Sequence, residues 1–259
     1  MENKNCNLSD GMISIVIPVY NAKEYLEETV DCLLKQAYEN YEILLVDDCS
    51  TDESYTIMKR LMEKSDKIHC LQNEKNSGPA YTRNHGIRCA KGRYLAYMDA
   101  DDLCDADKLE CQISYMQKSG CAFCFTGYEF AGEDGKRNGK IVHVPEKITY
   151  EEALRNTTIS TITVMFDRWQ IPDEVLFMPL NARGEDTATW WQILRSGYDA
   201  YGIDRPFSVY RRHSGTRSTN KLDAVYGTWK MYRQNEKLGF FKSLACFLGY
   251  IKNAIKRRM

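Results

Sequence analysis

The sequence predicts an α/β protein built on a mostly parallel central sheet flanked by helices. Three observations carry this reading. Short β-branched apolar runs alternate with stretches of helical periodicity, each run exits into a polar loop, and 259 residues suffice to bury the core such a sheet needs. Hydrophobic residues at 43% and charged residues at 27% are ordinary for a globular protein, and a formal net charge of −1 makes no case for a nucleic-acid partner.

Ile13 to Val19 is the first strand, followed by a helical stretch from Ala22 to Gln36. Glu42 to Val46 reads as a second buried strand and Asp52 to Met62 as a second helix. A third strand near Ile68–Leu71, a helix through Tyr81–Ala90 and a fourth strand at Arg93–Met98 continue the alternation. A further helix starts at Lys108, with Asp105 and Asp107 expected to cap it. Regularity weakens from Gln112 onward. Strands are expected at Ala122–Glu129 and Thr163–Phe166, a turn at Gly132–Gly135, a helix over Thr187–Arg195, and two strands at Tyr198–Ile203 and Pro206–Tyr210.

In open parallel sheets ligands sit beyond the carboxyl ends of the strands. That gives Tyr20 and Asn21, Asp47 to Asp52, and Asp99-Ala100-Asp101 a common mouth. Taken alone, Asp99 and Asp101 read either as a solvated turn or as ligands of a hard cation, which takes carboxylates plus a substrate's phosphates. Asp47 and Asp48 read either as helix caps or as ligand contacts; Ser50, Thr51 and Asp52 already offer a cap, so one upstream carboxylate is spare. Gly78-Pro79 opens a helix whose N-terminus can receive an anion, with Arg83 one turn inside. Glu185 and Asp186 begin another helix, where carboxylates complement the dipole. Arg211-Arg212-His213-Ser214-Gly215-Thr216-Arg217 is a basic loop that either neutralises phosphate or is solvated.

Ten cysteines are scattered through the apparent elements, and Met1 to Asn7 lacks an apolar signal core, so reduced thiols in a cytoplasmic protein are expected. Cys121 and Cys124 have the spacing of a metal or redox pair without a second pair to complete it; packing is the expected role. At the C-terminal end Phe240, Phe241, Leu244, Phe247, Leu248, Ile251, Ala254 and Ile255 recur at helical spacing beside Lys242, Lys252, Lys256, Arg257 and Arg258. Such a basic amphipathic helix is too interrupted and charged to span a bilayer. It either lies in a membrane interface, through residues 240–258, or docks on the domain.

Asp48, Arg83, Asp99-Ala100-Asp101, Glu185-Asp186 and Arg211-Arg212-His213 follow their elements in an order that closely resembles the family-2 glycosyltransferases of the Rossmann-like GT-A fold, which include bacterial polysaccharide-assembling enzymes. The likeness runs from about Ile13 to about Thr219 and is strongest over Ile17-Pro18-Val19-Tyr20-Asn21 and Val46 to Asp52. Cys49 stands where the family usually has Gly, which predicts a slightly different bend in that loop. The resemblance implies that Pro18, Tyr20 and Asp48 hold a uracil-type base and ribose, with Arg83 near the base or diphosphate. It implies that Asp101 is a direct ligand of Mn²⁺ or Mg²⁺ and that Asp99 serves the ribose or the metal. Asp186 matches the catalytic base, and Arg212 and His213 match a segment that closes over the phosphates, His213 reaching the metal.

The expected activity is therefore inverting transfer of a sugar from a UDP-sugar to a hydroxyl of a glycan or lipid-linked acceptor. Residues 1–115 would bind the donor, 116–220 the acceptor, and 221–259 would form a helical tail, on a protein peripheral to the inner face of the cell membrane. Two rival readings are a catalytically silent scaffold of the same fold and a Mg²⁺-dependent phosphatase or nucleotidyltransferase. The phosphatase expects its nucleophilic Asp after an early core strand, whereas the acidic pair here follows the fourth.

Overall fold

The computed structural model describes residues 8–182, 184–213 and 221–256; Arg183, the Ser214 to Arg217 part of the basic loop, Thr219, Arg257 and Arg258 lie outside the described residues. The first half runs β1 (Ser9–Val19), α1 (Leu26–Leu33), β2 (Tyr41–Asp47), α2 (Ser54–Lys64), β3 (Ile68–Gln72), α3 (Pro79–Cys89) and β4 (Gly92–Tyr97). These four strands pair in parallel in the order β3-β2-β1-β4. Helices cover both faces, which is why every residue of β2 is buried and its centre, Ile43 to Val46, is a continuous apolar run rather than an alternating one. On β1, Ile13, Ile15 and Ile17 face Leu26, Met58 and Leu61, while Val16 faces the opposite core with Leu44, Val46 and Ile87.

The second half adds β5 (Leu103–Cys104), α4 (Lys108–Ser119), β6 (Phe123–Ala131), β7 (Arg137–Val142), β8 (Lys147–Ile148), α5 (Tyr150–Ala153), β9 (Met165–Asp167), α6 (Asp173–Leu176), α7 (Glu185–Arg195), β10 (Ala200–Arg211), α8 (Lys221–Lys230) and α9 (Phe240–Lys256). The same ten-stranded sheet continues as β4-β9-β6-β10-β5, with β7 on β6 and β8 on β10. Here pairing is mixed: β9 is antiparallel to both β4 and β6, and β6 is parallel to β10. Tyr97, Phe123, Phe166 and Trp190 pack between sheet and α7, the Phe123 and Phe166 rings 4.6 Å apart. Cys121 and Cys124 are buried free thiols.

Several boundaries differ from the sequence reading. α1 starts only at Leu26, because the preceding residues are held instead by the loop after β2: Ser50 Oγ, Ser54 Oγ and Asp52 Oδ2 accept the N–H groups of Asn21, Ala22 and Lys23. The two late strands are one, β10, whose register on β6 shifts around Pro206. Asp105 and Asp107 do not cap α4; they pair with Arg137 and Arg205, and Gln36 Oε1 accepts the Leu109 N–H at 3.1 Å instead. Cys49 takes the left-handed backbone that glycine favours, at φ +58°.

Candidate active site

The carboxyl ends of β1, β2 and β4 open into one cleft made of two joined cavities. The smaller, about 480 Å³, is lined by Pro18, Tyr20, Asp48, Asp101 and His213 among others. The larger, about 900 Å³, includes Glu185, Asp186, Thr161 and, from the C-terminal helices, Met231 and Tyr250. Gly78, Pro79, Arg83, Asp99 and Tyr210 line both. Residues more than a hundred positions apart thus meet around one opening.

Asp48 follows β2 and is buried. Its Oδ1 accepts from Asn73 Nδ2 and the Ser77 N–H, and its Oδ2 from the Gly78 N–H, each at 2.8 Å. Gly78 sits at φ +82°, a conformation L side chains rarely adopt, and this turns its N–H onto the carboxylate at the head of α3. A carboxylate has about four acceptor positions, so one on Oδ2 stays available toward the cavity. Asp47 is wholly structural, its oxygens taking the Ser50 N–H and Gln72 Nε2. Asn73 was missed by sequence reasoning; it ties Asp48 to Thr82 Oγ1 at 3.0 Å and to His85 Nδ1 at 2.8 Å.

Arg83 is the hinge of the arrangement. Its Nη2 donates to Asp99 Oδ1 at 2.6 Å, and its Nη1 lies 3.4 Å from Glu185 Oε1. Burial acts to lower its pKa, but Asp99, Glu185 and Asp186 outweigh it and hold it raised. The buried Nε has no hydrogen-bond partner among the described residues. Glu185 and Asp186 open α7 behind Gly184, itself at φ +82°. Asp186 Oδ1 accepts the Thr187 N–H at 2.6 Å, and among the described residues Oδ2 has a long contact of 3.4 Å with Thr161 Oγ1.

His213 Nε2 lies 2.8 Å from Asp101 Oδ2, and its ring packs on Tyr25 at 5.0 Å. Burial first and Asp99 second push the Asp101 carboxyl up, against the pull of His213. Adjacent ligands of a small ion bound at about 2.1 Å lie about 3 Å apart, so Asp101 and His213 are spaced to share one. Among the described residues no three His, Cys, Asp or Glu side chains form a metal-holding group. Asp99 is turned toward Arg83 instead.

Arg212 lies outside both cavities, exposed, with its guanidinium 3.9 Å over the Phe130 ring. The arginine at the cleft is Arg211, whose buried side chain donates to Asp101 O at 2.7 Å, Glu133 O at 2.9 Å and Glu28 Oε2 at 2.6 Å. Its backbone N–H binds the buried Asp102 at 2.7 Å, latching the end of β10 to the acidic loop. The alternation of β10 decides this, since successive side chains point to opposite faces.

This sheet and cleft have the architecture of a GT-A glycosyltransferase. The structure aligns at TM-score 0.72 with Staphylococcus aureus TarS residues 1–349 in complex with UDP-GlcNAc, at 17% identity over 95% of this chain and 73% of that one. It aligns at 0.68 with the mannosyltransferase PcManGT of Pyrobaculum calidifontis in complex with GDP-Man and Mn²⁺, at 18% identity over 92% and 69%.

The sequence profile of glycosyl transferase family 2 matches residues 14–177, and the chain belongs to that family. A Bacillus subtilis (strain 168) protein with the provisional name teichuronic acid biosynthesis glycosyltransferase TuaG is 41% identical over 96% of this chain and 98% of its own length. Escherichia coli WfgD, a UDP-Glc:alpha-D-GlcNAc-diphosphoundecaprenol beta-1,3-glucosyltransferase, is 34% identical over 86% and 85%.

Proposed function

We propose that this glycosyltransferase moves a sugar from a UDP-sugar to a hydroxyl of a lipid-linked glycan, with inversion, during assembly of a cell-surface polysaccharide. The observation that carries the reading is the pair of joined cavities, one holding Asp48 and Asp101, the other Asp186, with Arg83 and Asp99 between them. The donor occupies the smaller cavity. Asp48 accepts the base N–H on its remaining Oδ2 position, with Pro18 and Tyr20 against the base and ribose. Arg83 lies near the base or diphosphate, and Asp99 contributes to the ribose or the metal.

Asp101 and His213 would hold Mn²⁺ or Mg²⁺, which would supply a Lewis acid for the departing diphosphate. Arg212, in the late segment, reaches the phosphates by leaving the Phe130 ring. Asp186 takes the acceptor's hydroxyl proton late, as that oxygen bonds to the anomeric carbon; only one carboxylate is needed on that side for direct displacement. The donor half is 1–115, the acceptor half 116–220 and the tail 221–259. Support for the donor and acceptor comes from UDP-GlcNAc bound to TarS and from the diphosphoundecaprenol acceptor in WfgD's name.

The test pairs calorimetry with a transfer assay on a panel of UDP-sugars, with and without Mn²⁺. Asp186→Asn should lower turnover by roughly 10²–10⁴-fold, the usual span for a general base, while UDP binds as before. Asp101→Asn should remove the metal-dependent part of UDP affinity. Full turnover in Asp186→Asn would falsify the assignment.

A further inference from the structure

α9 carries apolar side chains on two opposite faces. The inner face docks: Ser243 and Cys246 are fully buried, Phe247 meets Trp229 edge-on at 5.5 Å, and Asn253 Nδ2 donates to Arg155 O at 2.9 Å. Tyr250, on the same helix, reaches the wall of the larger cavity. The outer face presents Phe241, 84% exposed, Leu244 and Leu248, 59% exposed, with Phe240 at its start. Residues 241, 244 and 248 fall on one stripe of a helix. A helix that only closed a domain would turn polar side chains outward there.

The charges around the stripe are one-sided. Lys230, Arg233, Lys237, Lys242, Lys252 and Lys256 stand against a single acid over that span, Glu236. Glu236 is buried against Arg195 at 2.5 Å and Tyr150 at 2.5 Å. From the domain, Glu151 reaches Lys242 at 2.6 Å, an exposed pair of the weak kind. No helix among the described residues is long and apolar enough to cross a membrane.

We propose that the outer stripe of α9 is a docking face for an anionic bilayer surface and that it seats the acceptor cavity against the membrane that supplies its lipid-linked substrate. Phe241, Leu244 and Leu248 enter the boundary between headgroups and acyl chains, with Lys242 and Lys252 at the level of the phosphates. The helix then lies in the plane of the surface, and Tyr250, on its inner face, holds the wall of the Asp186 cavity about one helix diameter from that plane. The second clause rests on the lipid-linked acceptor proposed above; the docking rests only on the stripe and its lysines.

Flotation of the whole chain with vesicles of phosphatidylcholine, alone or mixed with phosphatidylglycerol, tests this. The protein should float with the anionic vesicles and lose much of that binding in high salt. Phe241→Asp with Leu248→Asp should abolish flotation, and Lys242→Gln with Lys252→Gln should remove the preference for anionic lipid. Both variants should bind UDP as the unaltered chain does, which reports that they fold. Absence of flotation by the unaltered protein, or unchanged flotation of the aspartate variant, overturns the proposal. So does a dimer, seen by light scattering, that the aspartate variant abolishes while vesicles have no effect. Absence of sugar transfer to soluble and lipid acceptors alike would overturn the acceptor reading and leave the flotation result standing.

Discussion

Cys49 holds a left-handed backbone at φ +58°, and its Sγ lies 3.1 Å from Asn73 O, which it can reach as a thiol donor. A side chain in that region costs roughly 1–2 kcal/mol, so Cys49→Gly should be close to neutral as relief of strain offsets the lost contact. Cys49→Val, β-branched at the same φ, should lower stability by at least about 1 kcal/mol; urea denaturation of the two variants measures the contrast. Asn73→Ala should cost about 1–3 kcal/mol, the penalty for stranding buried partners, and weaken UDP binding because Asp48 loses one of its three donors. Thermal shift with and without UDP separates the two effects. The placement of Asp48, Asp99 and Asp101 was legible in the sequence because each follows a recognisable strand, and that of Asp186 because it opens a recognisable helix. Asn73, Thr161 and the Arg83–Glu185 contact were not, since they depend on side chains brought together from distant segments.

Among the elements, α3 packs closely against β1. A Cβ added at Gly86 would lie 2.4 Å from Val16 Cγ1, so only a glycine lets this helix settle on the sheet. Gly86→Ala should destabilise by about 1–3 kcal/mol, the usual cost of overpacking. Adding Val16→Ala removes the obstructing methyls, and the double variant should lose less than the sum of the single losses; additive losses in a denaturation cycle would refute this packing account. The parallel strands and their helices were readable because local periodicity determines them. Caps and late strands were not, because tertiary partners override local preference: Gln36 caps α4 from the loop after α1, and a bulge around Pro206 keeps β10 continuous where the sequence suggests a break.

Across the whole molecule, the parallel and mixed halves of the sheet meet at β4 and β9. Arg93 spans that seam, donating from Nε at 3.0 Å and Nη2 at 2.8 Å to the two oxygens of Asp167. Burial pushes the Asp167 carboxyl up, but Arg93, Gln170 and the Trp169 N–H outweigh it and hold it below the usual carboxylate range. A carboxyl depressed in the folded state contributes stability that is complete above its unfolded value of about 3.9 and disappears as pH falls through the native one. Asp167→Asn should therefore lower the melting temperature at neutral pH and flatten the decline below about pH 4, where the unaltered chain loses this contribution. Equal acid slopes for the two proteins would argue against it. The mixed pairing beyond β4 was illegible in advance because β9, three residues long, is too short to announce its direction.

Arg83 and Asp99 form part of the wall of both cavities, so an occupant that contacts them from either chamber touches the wall of the other. A ligand that draws Asp99 aside leaves the guanidinium to Glu185, the immediate neighbour of Asp186. Thermodynamic reciprocity then binds the two substrates together: the factor by which the first occupant alters affinity for the second is the factor by which the second alters affinity for the first.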